Sequence, residues 1–371
     1  MKPTLLVHID YGSQGSAGLY IERLLRAPCP IKDVVAFVHR GYTGESAGAE
    51  VHRVFGRHTS VFPRGPLQSI YKWLDLYWCF FSIWIQLRRK SKTYRIVSVV
   101  SLFQSFRAYG WLFQRLRTFG QLIVIVHDAV EHRHRYPWFV MSPRENLLRH
   151  ADRLVTHSHD AIRHLEVYRK DISVMPFPPM RPFPIENCSA GHAGQIKFLF
   201  VGHIKPEKGL ERLIRVWRGL PETVLRRCSL TIAGSLPSGH SIDFTRLEKT
   251  SLETGFLEED RFLQLIDEAD CLIFPYVGGT SSGVYSISCS MGKASVVSSL
   301  PVFSGSPFYP ASIPFDDDQE LATVIVRIVQ RPEILAEKQR QTQAIWGRVD
   351  SDFDAFFERS NPFIPAEMAD V

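Results

Sequence analysis

Short runs dense in valine and isoleucine recur along this chain, with helix-patterned segments between them. They cover residues 4–9, 33–39, 95–100, 121–126, 153–157 and 172–175, and helical spacing fills 17–26 and 159–170. The runs are largely continuous rather than alternating, so both of their faces need cover. Continuous apolar strands separated by helices predict a parallel sheet clothed on both sides. The segment 176–194, which contains FPPMRPFP and NCSAGHAG, breaks the rhythm. Proline forbids a helix interior and disfavours a paired strand there. The alternation then restarts with strands at 196–201, 229–233, 271–275 and 294–298, and with helices at 210–217, 259–268 and 321–328. The fold class expected is α/β, two Rossmann-like parallel-sheet domains facing across a cleft. Their bounds read as 1–180 and 195–345, with a linker at 181–194. A helical tail at 346–371 carries Ser351 and Asp354 as a capping pair and could return to the first domain.

With 371 residues, 45% hydrophobic and 22% charged, the chain can build two full cores. Its six cysteines form no C-x-x-C pair and no zinc spacing, which is the usage expected of reduced cytosolic thiols. The opening MKPTLLVHID holds too short an apolar run for a signal peptide, so a cytoplasmic location is expected. The net charge of +6 conceals an asymmetry. Residues 1–185 carry 26 Lys and Arg against 13 Asp and Glu, whereas residues 186–371 carry 18 against 25. A basic half suits an anionic partner such as a lipid surface, a pyrophosphate or a nucleic acid. The nucleic-acid reading is the weakest of these, because the cations form no reading helix and the second half is acidic.

Residues 70–85 present apolar side chains at 70, 73, 74, 77, 78, 81, 84 and 85, with Leu76, Phe80 and Ile83 widening the sector. Trp73, Trp78 and Trp84 lie here, RRKSK follows at 88–92, and a second aromatic–basic mixture spans 106–117. The run is too short and interrupted to cross a bilayer. Aromatic residues beside cations suit a helix in the headgroup region, giving peripheral contact with an anionic membrane through residues 70–117. The alternative is a helix buried all round with a solvated charge run after it.

Two loops carry the candidate chemistry. Residues 271–299 read as a buried strand, a glycine-rich loop at Gly278 and Gly279, and a helix starting within 280–283 that Ser281 or Ser282 can cap. Small residues feeding a helix start leave main-chain N–H groups accessible, and the helix dipole adds positive charge, which suits a phosphate. Residues 202–214, GHIKPEKGLERLI, put Lys208 and Gly209 at the mouth of a helix after a strand. Loops from the same edge of one open α/β sheet bracket its ligand site.

The second half resembles the nucleotide-binding domain of GT-B glycosyltransferases, most closely family 4. The residues that carry this are VGHIKPEKGLERLI (201–214), LTIAGS (230–235), ADCLIFP (269–275) and TSSGVYSISCSMGKASVVSS (280–299). HIDYGSQGSAGLYIERLL (8–25), VIVHDAVEH (124–132) and ADRLVTHSHDAIRHL (151–165) match the acceptor domain more loosely. The resemblance implies a nucleotide-diphosphate sugar, UDP- or GDP-linked, as donor substrate, with no cofactor and no metal. It implies donor contacts from Gly202, His203, Lys208, Phe256, Tyr276, Thr280, Ser281, Ser282, Gly283 and Val284, with Phe256 near the base. His127 would face the sugar, and Asp10, Gly15, Ser16 and Gly18 would line the acceptor side. His127, Lys208 and Asp128 are the catalytic candidates. A base, if the reaction inverts, would be Asp10, Asp128 or Glu131. Two family glutamates eight residues apart are replaced by Gly279 and Ile287, and an expected arginine by His203. A metal on His132, His134 and neighbouring carboxylates is disfavoured for want of further ligands, and His157 and His159 are assigned capping or lining duties.

The expected function is transfer of a sugar from a nucleotide donor, with retention, to a lipid-linked or polysaccharide acceptor in bacterial surface glycan synthesis. It would take place at the inner face of the plasma membrane. The competing reading is a non-catalytic nucleotide-sugar-binding partner subunit, motivated by the missing glutamates.

Overall fold

The computed structural model describes residues 2–12, 16–56, 66–102, 105–127, 142–157, 159–169, 171–179, 195–236, 242–245, 247–279 and 282–364. The chain forms two units, one of residues 1–178 with 352–371 and the other of residues 179–351.

The first unit holds strands β1 (Thr4–Asp10), β2 (Asp33–His39), β3 (Glu50–Phe55), β4 (Arg95–Leu102), β5 (Gly120–Val126), β6 (Arg153–Thr156) and β7 (Ile172–Val174). They form one parallel sheet in the order β3-β2-β1-β4-β5-β6-β7. Its helices are α1 (Ser16–Leu25), α2 (Pro66–Lys90), α3 (Arg107–Leu116), α4 (Arg144–Leu148) and α5 (His159–Leu165). The second unit holds β8 (Ile196–Val201), β9 (Cys228–Gly234), β10 (Thr250–Thr254), β11 (Cys271–Phe274), β12 (Ala294–Ser298) and β13 (Ile313–Phe315), parallel in the order β10-β9-β8-β11-β12-β13. Its helices are α6 (Leu210–Arg218), α7 (Glu222–Leu225), α8 (Glu259–Glu268), α9 (Gly283–Ser290), α10 (Pro301–Ser304) and α11 (Asp318–Gln330), and α12 (Glu333–Ser360) continues into the first unit.

Apart from the run at 172–175, which is the partly exposed edge strand β7, the apolar runs identified in the sequence are interior strands, largely buried as a two-faced parallel sheet requires. Leu210, Leu213, Ile214 and Trp217 on α6 and Leu321, Val324, Ile325 and Ile328 on α11 fill one core of the second unit. Helix α2 is not buried all round, the alternative left open by the sequence. Leu76, Cys79, Phe80, Ile83 and Leu87 enter the core, whereas Leu74, Trp78 and Phe81 are exposed. Ser351 and Asp354 also differ from expectation. They sit inside α12, where Ser351 donates to the Gly347 carbonyl at 3.0 Å and Asp354 pairs with Arg23 at 2.8 Å. That pair, with Phe353 under the Arg23 guanidinium at 4.5 Å and Phe363 edge-on to His8 at 5.5 Å, joins the chain end to the first sheet.

In each sheet the strand order reverses once, between β1 and β4 in the first and between β8 and β11 in the second. Ligands of open α/β sheets bind beyond the carboxyl ends of the strands at such reversals. Asp10 ends β1 opposite Ser101 of β4, and the loops after β8 and β11 are those singled out for phosphate binding.

Candidate active site

The second unit's switch point is built by close main-chain approach. Gly202 leaves β8 with φ +124°, and a Cβ there would lie 3.1 Å from a Val284 methyl. After Pro206–Lys208 makes a 3₁₀ turn, Gly209 takes φ +68°. A Cβ on Gly209 would sit 1.9 Å from the Pro275 carbonyl oxygen, so only glycine permits the approach. Val277 donates to the Glu207 carbonyl at 3.0 Å, tying the loop after β11 to the loop after β8.

This lacing sets Lys208 Nζ 3.9 Å from the centre of the Tyr276 ring, a cation held over an aromatic face. The Tyr276 hydroxyl is 2.7 Å from Ser282 Oγ, and Ser282 caps α9 by accepting from the Tyr285 N–H at 3.4 Å. Helix α9 therefore starts at Gly283, inside the expected 280–283, with Ser282 as its cap. Ser282 is buried, but Gly283 and Val284 are half-buried, so the helix mouth is not sealed. The amides of Gly283 and Val284 belong to the first turn, which has no preceding carbonyls to bond. Phe200, Gly202, His203, Lys208, Phe274, Tyr276 and Val284 line a small recess at this point. Thr280 and Ser281 lie outside the described residues.

His203 stands where the resemblance led us to expect an arginine. Its ring is hydrogen-bonded to the Ser235 hydroxyl, and burial, with Lys205 nearby, holds its pKa below the ordinary imidazole value. It is a neutral partner at pH 7, not a second cation. Phe256 follows β10 at the same sheet edge, and its ring is 69% exposed. The two glutamate positions are closed to that role by geometry. Gly279 has φ +125°, a conformation that a side chain strains, and Ile287 is buried.

At the first unit's switch point Asp10 is fully buried. Burial lifts its carboxyl pKa to about 7, against hydrogen bonds from the Ser101 hydroxyl and the Gly12 N–H, which favour ionisation. Nearby, the Tyr20 hydroxyl lies 3.0 Å from His157 Nε2, and His157 Nδ1 lies 3.1 Å from the Met175 carbonyl. A carbonyl only accepts, so Nδ1 carries the proton and Nε2 accepts from Tyr20. The His127 ring packs 4.8 Å from Tyr20 and 5.5 Å from His157, with Phe177 5.1 Å from His157. Burial holds both imidazoles neutral, lowering the pKa of His157 to about 4 and that of His127 well below its ordinary value. The buried Arg144, first residue of α4, adds to the effect on His127.

Of the first-unit candidates, Asp10 and His127 thus lie at strand ends as expected. Gly18 is buried in α1, and Ser16 is its first residue. Gly15, Asp128, Glu131, His132 and His134 lie outside the described residues. His157 was given a lining role, and Tyr20, Phe177 and Arg144 were not identified. Tyr20 shares the inward face of α1, a signal of core rather than chemistry, and Arg144 stands in no motif. Among the described residues no group of three His, Cys, Asp or Glu is placed to hold a metal, and no helix is long and apolar enough to cross a membrane.

Comparison with known proteins adds the family context. Residues 195–331 match the family model described as glycosyl transferases group 1. No curated protein matches the chain. Among solved structures, sucrose-phosphate synthase from Thermosynechococcus elongatus is similar over 96% of this chain and 98% of its own, with TM-score 0.63 and 14% identity. HepE from Anabaena in complex with UDP is similar over 96% and 99%, with TM-score 0.61 and 13% identity. WaaG, a glycosyltransferase involved in lipopolysaccharide biosynthesis, is similar over 98% and 100%, with TM-score 0.58 and 12% identity. In architecture the chain is a GT-B-fold protein, and its second unit carries the sequence pattern of the glycosyl transferases group 1.

Proposed function

We propose that the protein transfers a sugar from a nucleotide-diphosphate sugar to a lipid-linked or polysaccharide acceptor. The observation that carries this reading is the Lys208 ammonium over Tyr276, laced to the capped start of α9 at the second sheet's strand reversal. A diphosphate bound there meets one ammonium and the first-turn amides of α9 together. In the reaction the bond from the anomeric carbon to the diphosphate oxygen breaks, and the acceptor oxygen bonds to that carbon. Negative charge grows on the leaving diphosphate, and fixed positive groups aimed at it lower the barrier. The acceptor proton passes to a base or to the departing diphosphate; Asp10, the candidate base at the end of β1, is sealed within the first unit and is not placed to take it. Phe256 offers an exposed ring for the base. The HepE complexes with UDP and with UDP-glucose favour a uridine donor for this chain. WaaG's part in lipopolysaccharide biosynthesis favours a surface-glycan acceptor.

Lys208→Ala is expected to lower nucleotide-sugar turnover at least tenfold, about 1.4 kcal/mol of barrier. UDP and GDP tested side by side for thermal stabilisation identify the base, because a ligand of the folded state raises the melting temperature. Near-normal turnover by the alanine variant would overturn the assignment of Lys208. A second reading, a non-catalytic binder, is favoured by the conformation of Gly279 and the burial of Ile287. It gains if the protein binds a nucleotide diphosphate but releases none from any donor.

A further inference from the structure

Helix α2 is apolar on two sides. Its inner row is taken up by the core, while its outer row, spaced by four and three residues, leaves Leu74 51%, Trp78 60% and Phe81 39% exposed. Helix α3 sets Trp111 beside that row, 6.4 Å from Phe81 and 6.1 Å from Trp84. Leu74, Trp78, Phe81 and Trp111, with Tyr71 and Tyr77, line an open groove of about 600 Å³. A cluster of exposed large aromatics marks an interaction surface, unlike a single exposed leucine.

The charges around it select the partner. Arg88 stacks on Trp84 at 5.4 Å, and Arg115 lies 5.9 Å from both Trp84 and Trp111. Arg89, Lys92 and Arg107 are exposed on the same two helices and the turn after α2. The one acid in the groove, Asp75, is buried within it, with the Cys79 thiol 3.8 Å away. Two copies meeting face to face would oppose these cations, and a neutral glycan would leave them unmatched. A lipid interface matches both halves, since tryptophan settles at the boundary of the acyl region while guanidinium groups meet phosphates.

We propose that the α2–α3 face docks on an anionic bilayer, with Leu74, Trp78, Phe81 and Trp111 at the acyl boundary and Arg88 and Arg115 on lipid phosphates. This rests on the first unit alone and stands whether or not the donor reading holds. The test is co-sedimentation of the full chain with phosphatidylcholine vesicles, with and without phosphatidylglycerol. Wild type is expected to bind the anionic vesicles and to bind neutral ones at least tenfold more weakly. A Trp78→Ser, Phe81→Ser double variant is expected to lose at least tenfold while still unfolding cooperatively with a melting temperature lowered by only a few degrees, because neither side chain belongs to the buried core. An Arg88→Gln, Arg115→Gln variant is expected to lose roughly fivefold per charge at low salt. Failure of wild type to bind anionic vesicles, or undiminished binding by the aromatic double variant, overturns the proposal. A wild-type dimer that the aromatic variant abolishes, with vesicle binding retained, overturns it in favour of a second copy.

Discussion

Replacing Asp10 by Asn isolates one buried proton. In the folded state the carboxyl has its pKa near 7, against 3.8 ordinarily, because burial penalises the anion. Below pH 4 both states hold the proton and Asp10 contributes nothing to pH dependence. Between about 4 and 7 the unfolded chain releases it while the folded protein keeps it, so folding loses stability as pH rises. Three units at about 1.36 kcal/mol each give about 4 kcal/mol by pH 8. Asparagine keeps an oxygen for the Ser101 hydroxyl and the Gly12 N–H but cannot ionise. From this proton alone the variant should exceed wild type by about 1 kcal/mol at pH 4.5 and by up to about 4 kcal/mol at pH 8. In urea that is a midpoint shift of roughly 1–2 M. The assay is urea unfolding of wild type and variant at pH 4.5, 6 and 8, followed by tryptophan emission. The histidine contributions are common to both proteins and cancel in the difference. A midpoint difference that stays constant across that range would refute the reasoning, since a pH-independent effect is packing rather than a proton.

Two histidines act in the opposite direction. His8 and His157 have pKa values lowered to about 4, so the stability of the neutral fold is complete above 6.5 and is lost as pH falls from 6.5 through 4. Acid unfolding in that window should take up protons, and a His157→Gln variant should take up fewer by titration calorimetry. Restoring a glutamate by Gly279→Glu should not raise turnover. It should instead cost about 1–2 kcal/mol in thermal unfolding, because φ +125° strains any residue with a Cβ. Higher turnover at an unchanged melting temperature would show that the loop readily adopts another conformation.

Most of the central strands were legible because a strand covered on both faces is apolar along its length, a local property. The runs at 33–39, 196–201 and 294–298 coincide with β2, β8 and β12. The strands that were missed include β3 and β10, which stand at sheet edges with partly exposed, polar residues. Their pairing depends on a neighbour distant in sequence and leaves little pattern. The turn at Lys208 and the start of α9 were legible because glycine and small residues announce tight main-chain turns.

Residue order alone determined that this chain alternates strand and helix twice around a proline-dense break, and which loops leave the strand ends. Tertiary structure alone decided which row of α2 faces the core, since aromatic side chains occupy both rows and only packing against β3 and α3 separates them. It also decided that Tyr20 meets His157 across 137 positions of chain, and that Asp10 is sealed from water beside Ser101. Burial and proximity are sums over many distant segments, so a residue's protonation and partner arise only once the sheet has closed around it.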